Sequence, residues 1–151
     1  MKYLLIGMLM AVSFTCTANK VPAKSYPNGA TKAVIFSYDD GVTQDRKLVA
    51  LFNKYQVVGT FNLNSGLFAK KLPWMKAFTG KEGEYIKQSE VKALYKGHEI
   101  ASHSYSHPGF ADLDTAELKL QLARDKQILS PIKGSPLQSF AYPLGSYDKA
   151  A

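Results

Sequence analysis

A chain of 151 residues that is 46% hydrophobic and 12% aromatic carries enough apolar material for one buried core, which excludes an intrinsically disordered chain. Its formal charge of +7 favours anionic surfaces in general, but only Arg46 and Arg124 stand among the 19 basic residues and the lysines are scattered, so nucleic acid is not an expected partner. Cys16 is the single cysteine, which excludes an intramolecular disulfide.

Lys2, the apolar run of residues 3–12 and the small, polar residues 13–18 read as a secretory signal peptide, so residues 1–18 predict export to the periplasm, cell surface or medium. The run is too short to span a bilayer as a lasting helix. Cleavage after Ala18 and lipid attachment at Cys16, with the cut before it, both stay open; the second would tie the protein to a membrane. Residues 19–31, rich in Pro, Gly and Asn towards their end, predict a linker, and residues 32–151 the folded domain.

Residues 32–38 are apolar and β-branched enough to predict a buried strand. Thr43 is expected to cap a helix reaching about Tyr55, with Leu48, Leu51, Phe52 and Tyr55 on its inner face. Residues 57–63 give a second short apolar run. Strand, helix and strand with short joints predict a βαβ unit and a parallel sheet.

Residues 66–85 mix Lys70, Lys71, Lys76 and Lys81 with Phe68, Trp74, Phe78 and Tyr85. Aromatic faces suit sugar rings and lysines suit anionic glycans, so this stretch either lines a substrate site or covers a flank of the fold. Residues 89–96 predict a short helix closed by Gly97, and residues 99–103 a third strand. Asp114 and Glu117 form a capping box for a helix from Thr115 to about Leu129 that buries Leu118, Leu122 and Leu129. After a Pro/Gly/Ser joint at 130–136, residues 138–142 predict a fourth strand. Four such units are half of a (β/α)8 barrel, so the expected fold is α/β, an incomplete, distorted (β/α) barrel with parallel strands.

Chemistry in such folds gathers at the C-terminal ends of the strands, where Asp39-Asp40-Gly41, His103 and Pro143-Leu144-Gly145 fall. Consecutive strand residues point to opposite faces, but a sharp turn at Gly41 lets both carboxylates reach one pocket. Two adjacent carboxylates repel, and a divalent cation bound by one relieves that repulsion. Taken alone, Asp-Asp-Gly is equally a solvated turn. His103 and His107 stand four apart ahead of and within a Pro/Gly loop, and either can be a hydrogen-bonded surface histidine when taken singly. Together with the aspartates they offer one carboxylate and two imidazoles, which leave a fourth position open on zinc, as in a catalytic site. His98 lies at the opposite end of the same strand and is expected to be structural.

Ser37-Tyr38-Asp39-Asp40-Gly41 resembles the first motif of the polysaccharide deacetylases of the NodB-homology type, carbohydrate esterase family 4, and the stretch from Gly97 to His107 is similar to their second. Gly59-Thr60-Phe61-Asn62-Leu63-Asn64 resembles the second strand of that fold. The resemblance implies that residues 32–151 are the N-terminal part of a deacetylase domain acting on an acetylated carbohydrate polymer by attack of metal-bound water. By position, Asp39 would be the general base, while Asp40, His103 and His107 would hold Zn²⁺ or a similar divalent ion. The family's third motif, Arg-x-Pro-Tyr-Gly, is matched by Ala141-Tyr142-Pro143-Leu144-Gly145, which keeps the Leu144 backbone N–H for the oxyanion but lacks the arginine that orients the base. The general acid would fall beyond Ala151. The alternative is a catalytically impaired or truncated remnant that binds metal or glycan without hydrolysis; a metal-independent relative acting on small amides is disfavoured by the Asp40, His103 and His107 set.

Overall fold

In a computed structural model of the chain, Tyr26 and residues 29–149 are described. The expected signal peptide, Cys16 and most of the expected linker lie outside the described residues. The chain divides into two units, residues 1–33 and 34–151. In the first, Gly29 N–H donates to Tyr26 O at 3.1 Å and Tyr26 N–H to Ala30 O at 2.9 Å, a tight turn.

The second unit runs β1 (Ser37–Tyr38), α1 (Asp45–Tyr55), β2 (Thr60–Leu63), β3 (Lys71–Leu72), α2 (Met75–Thr79), β4 (Gly83–Glu84), α3 (Gln88–Leu94), β5 (Glu99–Ser102) and α4 (Thr115–Lys133). β1, β2 and β5 form a parallel sheet in that order, with Tyr38 beside Phe61 and Leu63 beside Ser102. The architecture is mixed α/β with parallel strands, a partial barrel. β3 and β4 pair antiparallel as a separate ribbon.

Phe61, Leu63, Ile86, Val91 and Leu129 are fully buried and close the core with Val49 and Phe52 of α1. Burying each large apolar side chain contributes about 1.5–3 kcal/mol. On α1 the inner stripe is Asp45, Val49 and Phe52 with Leu48 packed against it. Leu51 and Tyr55, expected inside, are exposed, because the i, i+4, i+7 line from Asp45 turns them away. Thr43 is not the cap: the helix starts after Gln44, and Thr43 Oγ1 donates to Gln44 Oε1 at 3.3 Å.

Four further expectations need correction. Residues 32–38 supply only Ser37 and Tyr38 to the sheet, and Val34 and Ile35 are 78% and 81% exposed, because among the described residues this strand has a neighbour on one side alone. The last helix continues through Pro131 to Lys133 and ends at Gly134 in left-handed conformation, so the 130–136 joint is half helical. Leu122 is exposed since α4 turns Leu118, Gln121, Asp125 and Leu129 inward. The fourth strand is one parallel bridge between Phe140 and Ser102, with Ser102 N–H donating to Ser139 O and Ala141 N–H to Ser102 O. Prolines at 136 and 143 limit its ladder.

Candidate metal centre

β2 and β5 end together at Leu63 and Ser102 and β1 two residues earlier, at Tyr38 beside Phe61, so Asp39 and Asp40 follow β1 at the level of the last residues of β2. After β1 the chain reverses within two residues: Asp40 has φ of 78° and Gly41 of 69°. Glycine suits 41 because of that positive φ, and a Cβ there would also push on Leu63 Cδ2, 2.7 Å away. The turn cancels strand alternation and brings both carboxylates to one side.

His103 follows β5 directly and its N–H donates to Leu63 O at 2.9 Å, which extends the ladder by one residue. Its ring is buried, and Nδ1 lies 2.9 Å from Ala141 O. A carbonyl only accepts, so Nδ1 carries the proton and Nε2 offers its lone pair to the cavity. His107 returns through a loop in which Ser104 and His107 both have left-handed backbone, φ 68° and 63°. Asn64 Nδ2 pins that loop by donating to the carbonyls of His103 and Ser104, and His107 N–H donates to Ser104 Oγ at 3.0 Å.

Asp40 Oδ1 stands 3.3 Å from His107 Nε2 and 3.8 Å from His103 Nε2. One ligand atom from each of the three residues lies within 4.8 Å of the others. Ligands about 2.1 Å from a tetrahedral zinc sit about 3.4 Å apart, so these spacings fit a cation. Asp40 Oδ1 is also buried without a hydrogen-bond partner, a costly state for a carboxylate oxygen that a cation between it and two imidazoles would remove.

Asp39 is more exposed. Its Oδ1 accepts from Asn62 Nδ2 at 2.7 Å, and its Oδ2 is 4.0 Å from His103 Nε2. A cavity of about 610 Å³ is lined by Asp39, Asp40, His103 and His107 together with Trp74, Phe78, Tyr85 and Leu144. Burial, with the nearby Asp40 charge, pushes the Tyr85 hydroxyl up to about 12, so it faces the cavity as a neutral donor. Leu144 has left-handed backbone at φ 58° on the rim. Tyr142 instead lines a neighbouring hollow of about 240 Å³ with Phe110 and Leu118, and Pro143 is buried, so of this trio Leu144 alone shares the cavity.

The ribbon segment expected either to line a site or to cover a flank places Trp74 and Phe78 in the cavity wall, 53% and 82% exposed, with ring centroids 6.0 Å apart in a T shape. His98 is at the other end of β5, where its Nδ1 accepts from Gly59 N–H at 3.2 Å and burial lowers its pKa. The motifs do not point to Asn62, Asn64, Ser65 or Asp125. Asp125 is buried on α4 and accepts from Ser65 N–H at 2.8 Å and Ser102 Oγ at 2.5 Å, tying the exits of β2 and β5 together. Burial raises its pKa, against the pull of those two hydrogen bonds. The available signal was Asn62 and Asn64 alternating with Phe61 and Leu63, polar groups on one face of a buried strand.

A family model described as polysaccharide deacetylase matches residues 26–151. The uncharacterized protein YlxY of Bacillus subtilis (strain 168) is 28% identical over 130 residues, covering 84% of this chain and 35% of YlxY. Streptococcus pyogenes deacetylase PplD, solved in complex with acetate, superposes with a TM-score of 0.66 at 20% identity, over 80% of this chain and 50% of PplD. BA3943 of Bacillus anthracis, a family 4 pseudoenzyme, superposes with a TM-score of 0.57 at 21% identity, over 83% of this chain and 39% of its own. The chain thus spans half or less of the length of each of these relatives, and at these identities the superpositions speak for the fold.

Proposed function

Since the chain belongs to the polysaccharide deacetylase family, we propose that it carries the metal-binding half of an exported hydrolase that removes acetyl groups from an N- or O-acetylated polysaccharide. The observation that supports this most is the orphaned Asp40 Oδ1 facing His103 Nε2 and His107 Nε2. Two imidazoles and one carboxylate suit zinc, which when bound supplies a Lewis acid and a readily ionised water. Asp39 Oδ2 takes a proton from the attacking water, with Oδ1 held by Asn62. The Leu144 N–H would donate to the developing oxyanion, a role supported by its residue lining the cavity on a left-handed turn. Trp74 and Phe78 offer flat apolar faces to a pyranose, and Lys76 of α2 adds charge suited to an anionic polymer. Export rests on the signal-like residues 1–18.

The test is acetate release from acetylated chito-oligosaccharides and acetylated xylan, with and without a chelator. Asp39→Asn should lower kcat by at least about 100-fold while zinc still binds. Turnover that ignores both the chelator and this substitution overturns the reading. Alanine at 141, where the family motif has arginine, favours a second reading, a non-hydrolytic metal- or glycan-binding protein. Stoichiometric zinc without acetate release would establish that one.

A further inference from the structure

Asn62 stands in the middle of β2, the central strand, and is 2% exposed between Phe61 and Leu63. A buried primary amide needs acceptors for two N–H groups. They go to Asp39 Oδ1 at 2.7 Å and Ser37 Oγ at 2.8 Å. Filling space does not call for an amide here, since apolar side chains fill the neighbouring positions of this strand without the cost of burying polar atoms. What the amide achieves is directional. It fixes one oxygen of a half-exposed carboxylate, and the other, Oδ2, is left facing the cavity beside His103 Nε2.

We infer that Asn62 is a positioning residue for Asp39, holding Oδ1 so that Oδ2 points at the water it deprotonates. The Ala141 side chain has no donor to offer, so a neutral amide from the adjacent strand takes over the orienting task that the family motif gives to arginine. The inference rests on the hydrolase reading above, and it predicts a base held by an amide hydrogen bond in place of the arginine of the family motif.

Asn62→Leu removes the donor and fills the space; Asn62→Ala guards against a packing failure in the first variant. Each is checked by thermal unfolding, zinc titration, steady-state acetate release and a crystal structure of the zinc-loaded protein. In the folded variants kcat should fall by about 10- to 100-fold, with KM and zinc affinity within about twofold of the parent, because a base displaced by an ångström loses rate without losing substrate. Asp39 should occupy more than one rotamer in those crystals. An unchanged kcat, or an Asp39 carboxylate in the parent position once the amide is gone, overturns the inference. If the parent itself binds zinc and releases no acetate, the hydrolase reading fails, and the crystallographic position of Asp39 alone decides whether Asn62 orients it.

Discussion

Asp45 lies beneath the site in the first turn of α1, buried, with the Tyr95 hydroxyl donating to its Oδ2 at 2.6 Å. Burial raises its pKa to about 6 from the ordinary 3.8, partly offset by the Tyr95 hydrogen bond and aided by the Asp40 charge. A carboxyl whose folded-state pKa is raised favours folding below its unfolded value, and that contribution is lost as pH rises through the folded value. Stability should therefore decline from about pH 4 to above pH 6 on account of this group. Asp45→Asn keeps an acceptor for Tyr95 and removes the ionisation, so it should stabilise the metal-free protein at pH 7.5 by up to about 2–3 kcal/mol, and by little at pH 4. Denaturant titrations at the two pH values measure the difference. At this scale the residues of the proposed centre were legible because Asp39, Asp40, His103 and His107 stand in short motifs. Asn62 and Asp125 stayed hidden because their roles depend on partners that only pairing of distant elements supplies, Asp39 in one case and Ser65 with Ser102 in the other.

At the scale of elements, the loop from His103 to His107 is braced by the turn after β2. Gly66 N–H donates to Tyr105 O at 2.8 Å, and a Cβ on Gly66 would meet that same carbonyl at 2.5 Å and the Tyr105 ring at 2.8 Å. Backbone cannot yield as a flexible side chain can. Gly66→Ala should destabilise the fold by about 1–3 kcal/mol and displace His107, weakening zinc affinity by about 10-fold or more. Thermal unfolding and a zinc titration check both, and an unaltered affinity would show that the loop is held without this contact. α1, α3, α4 and the parallel strands β1, β2 and β5 were legible from periodicity and joints, and Asp114 does accept from Glu117 N–H at 2.9 Å, whereas α2 and the β3–β4 ribbon gave no such signal. Which face of α1 and α4 turns inward was legible in part, through Phe52, Leu118 and Leu129, but not through Leu51, Tyr55 and Leu122. Polar Asp45, Gln121 and Asp125 sit on the buried stripes, and a count of leucines reads them as outward.

For the molecule as a whole, the parallel βαβ arrangement followed from the alternation of runs and joints, yet the burial of residues 32–38 did not. A β-branched stretch declares its liking for cover but not which neighbour provides it, and among the described residues β2 is the one strand alongside β1. Val34 and Ile35 are left in solvent at that edge. Changing both to lysine should alter unfolding free energy by less than about 0.5 kcal/mol, since little is buried there, and should suppress aggregation seen by light scattering. A loss beyond about 1 kcal/mol would mean that these side chains are covered in solution, which a dependence of the loss on protein concentration would trace to a second copy.

Asp40, Ser104, His107 and Leu144 share one property: each is a non-glycine residue with left-handed backbone, in a segment that carries the centre. Such conformations cost on the order of 1 kcal/mol apiece. Robustness and activity consequently pull this rim in opposite directions. Laboratory evolution for heat tolerance alone would erode it first, relaxing those four torsions one after another, and a campaign on this scaffold needs counter-selection at the cavity from its opening round.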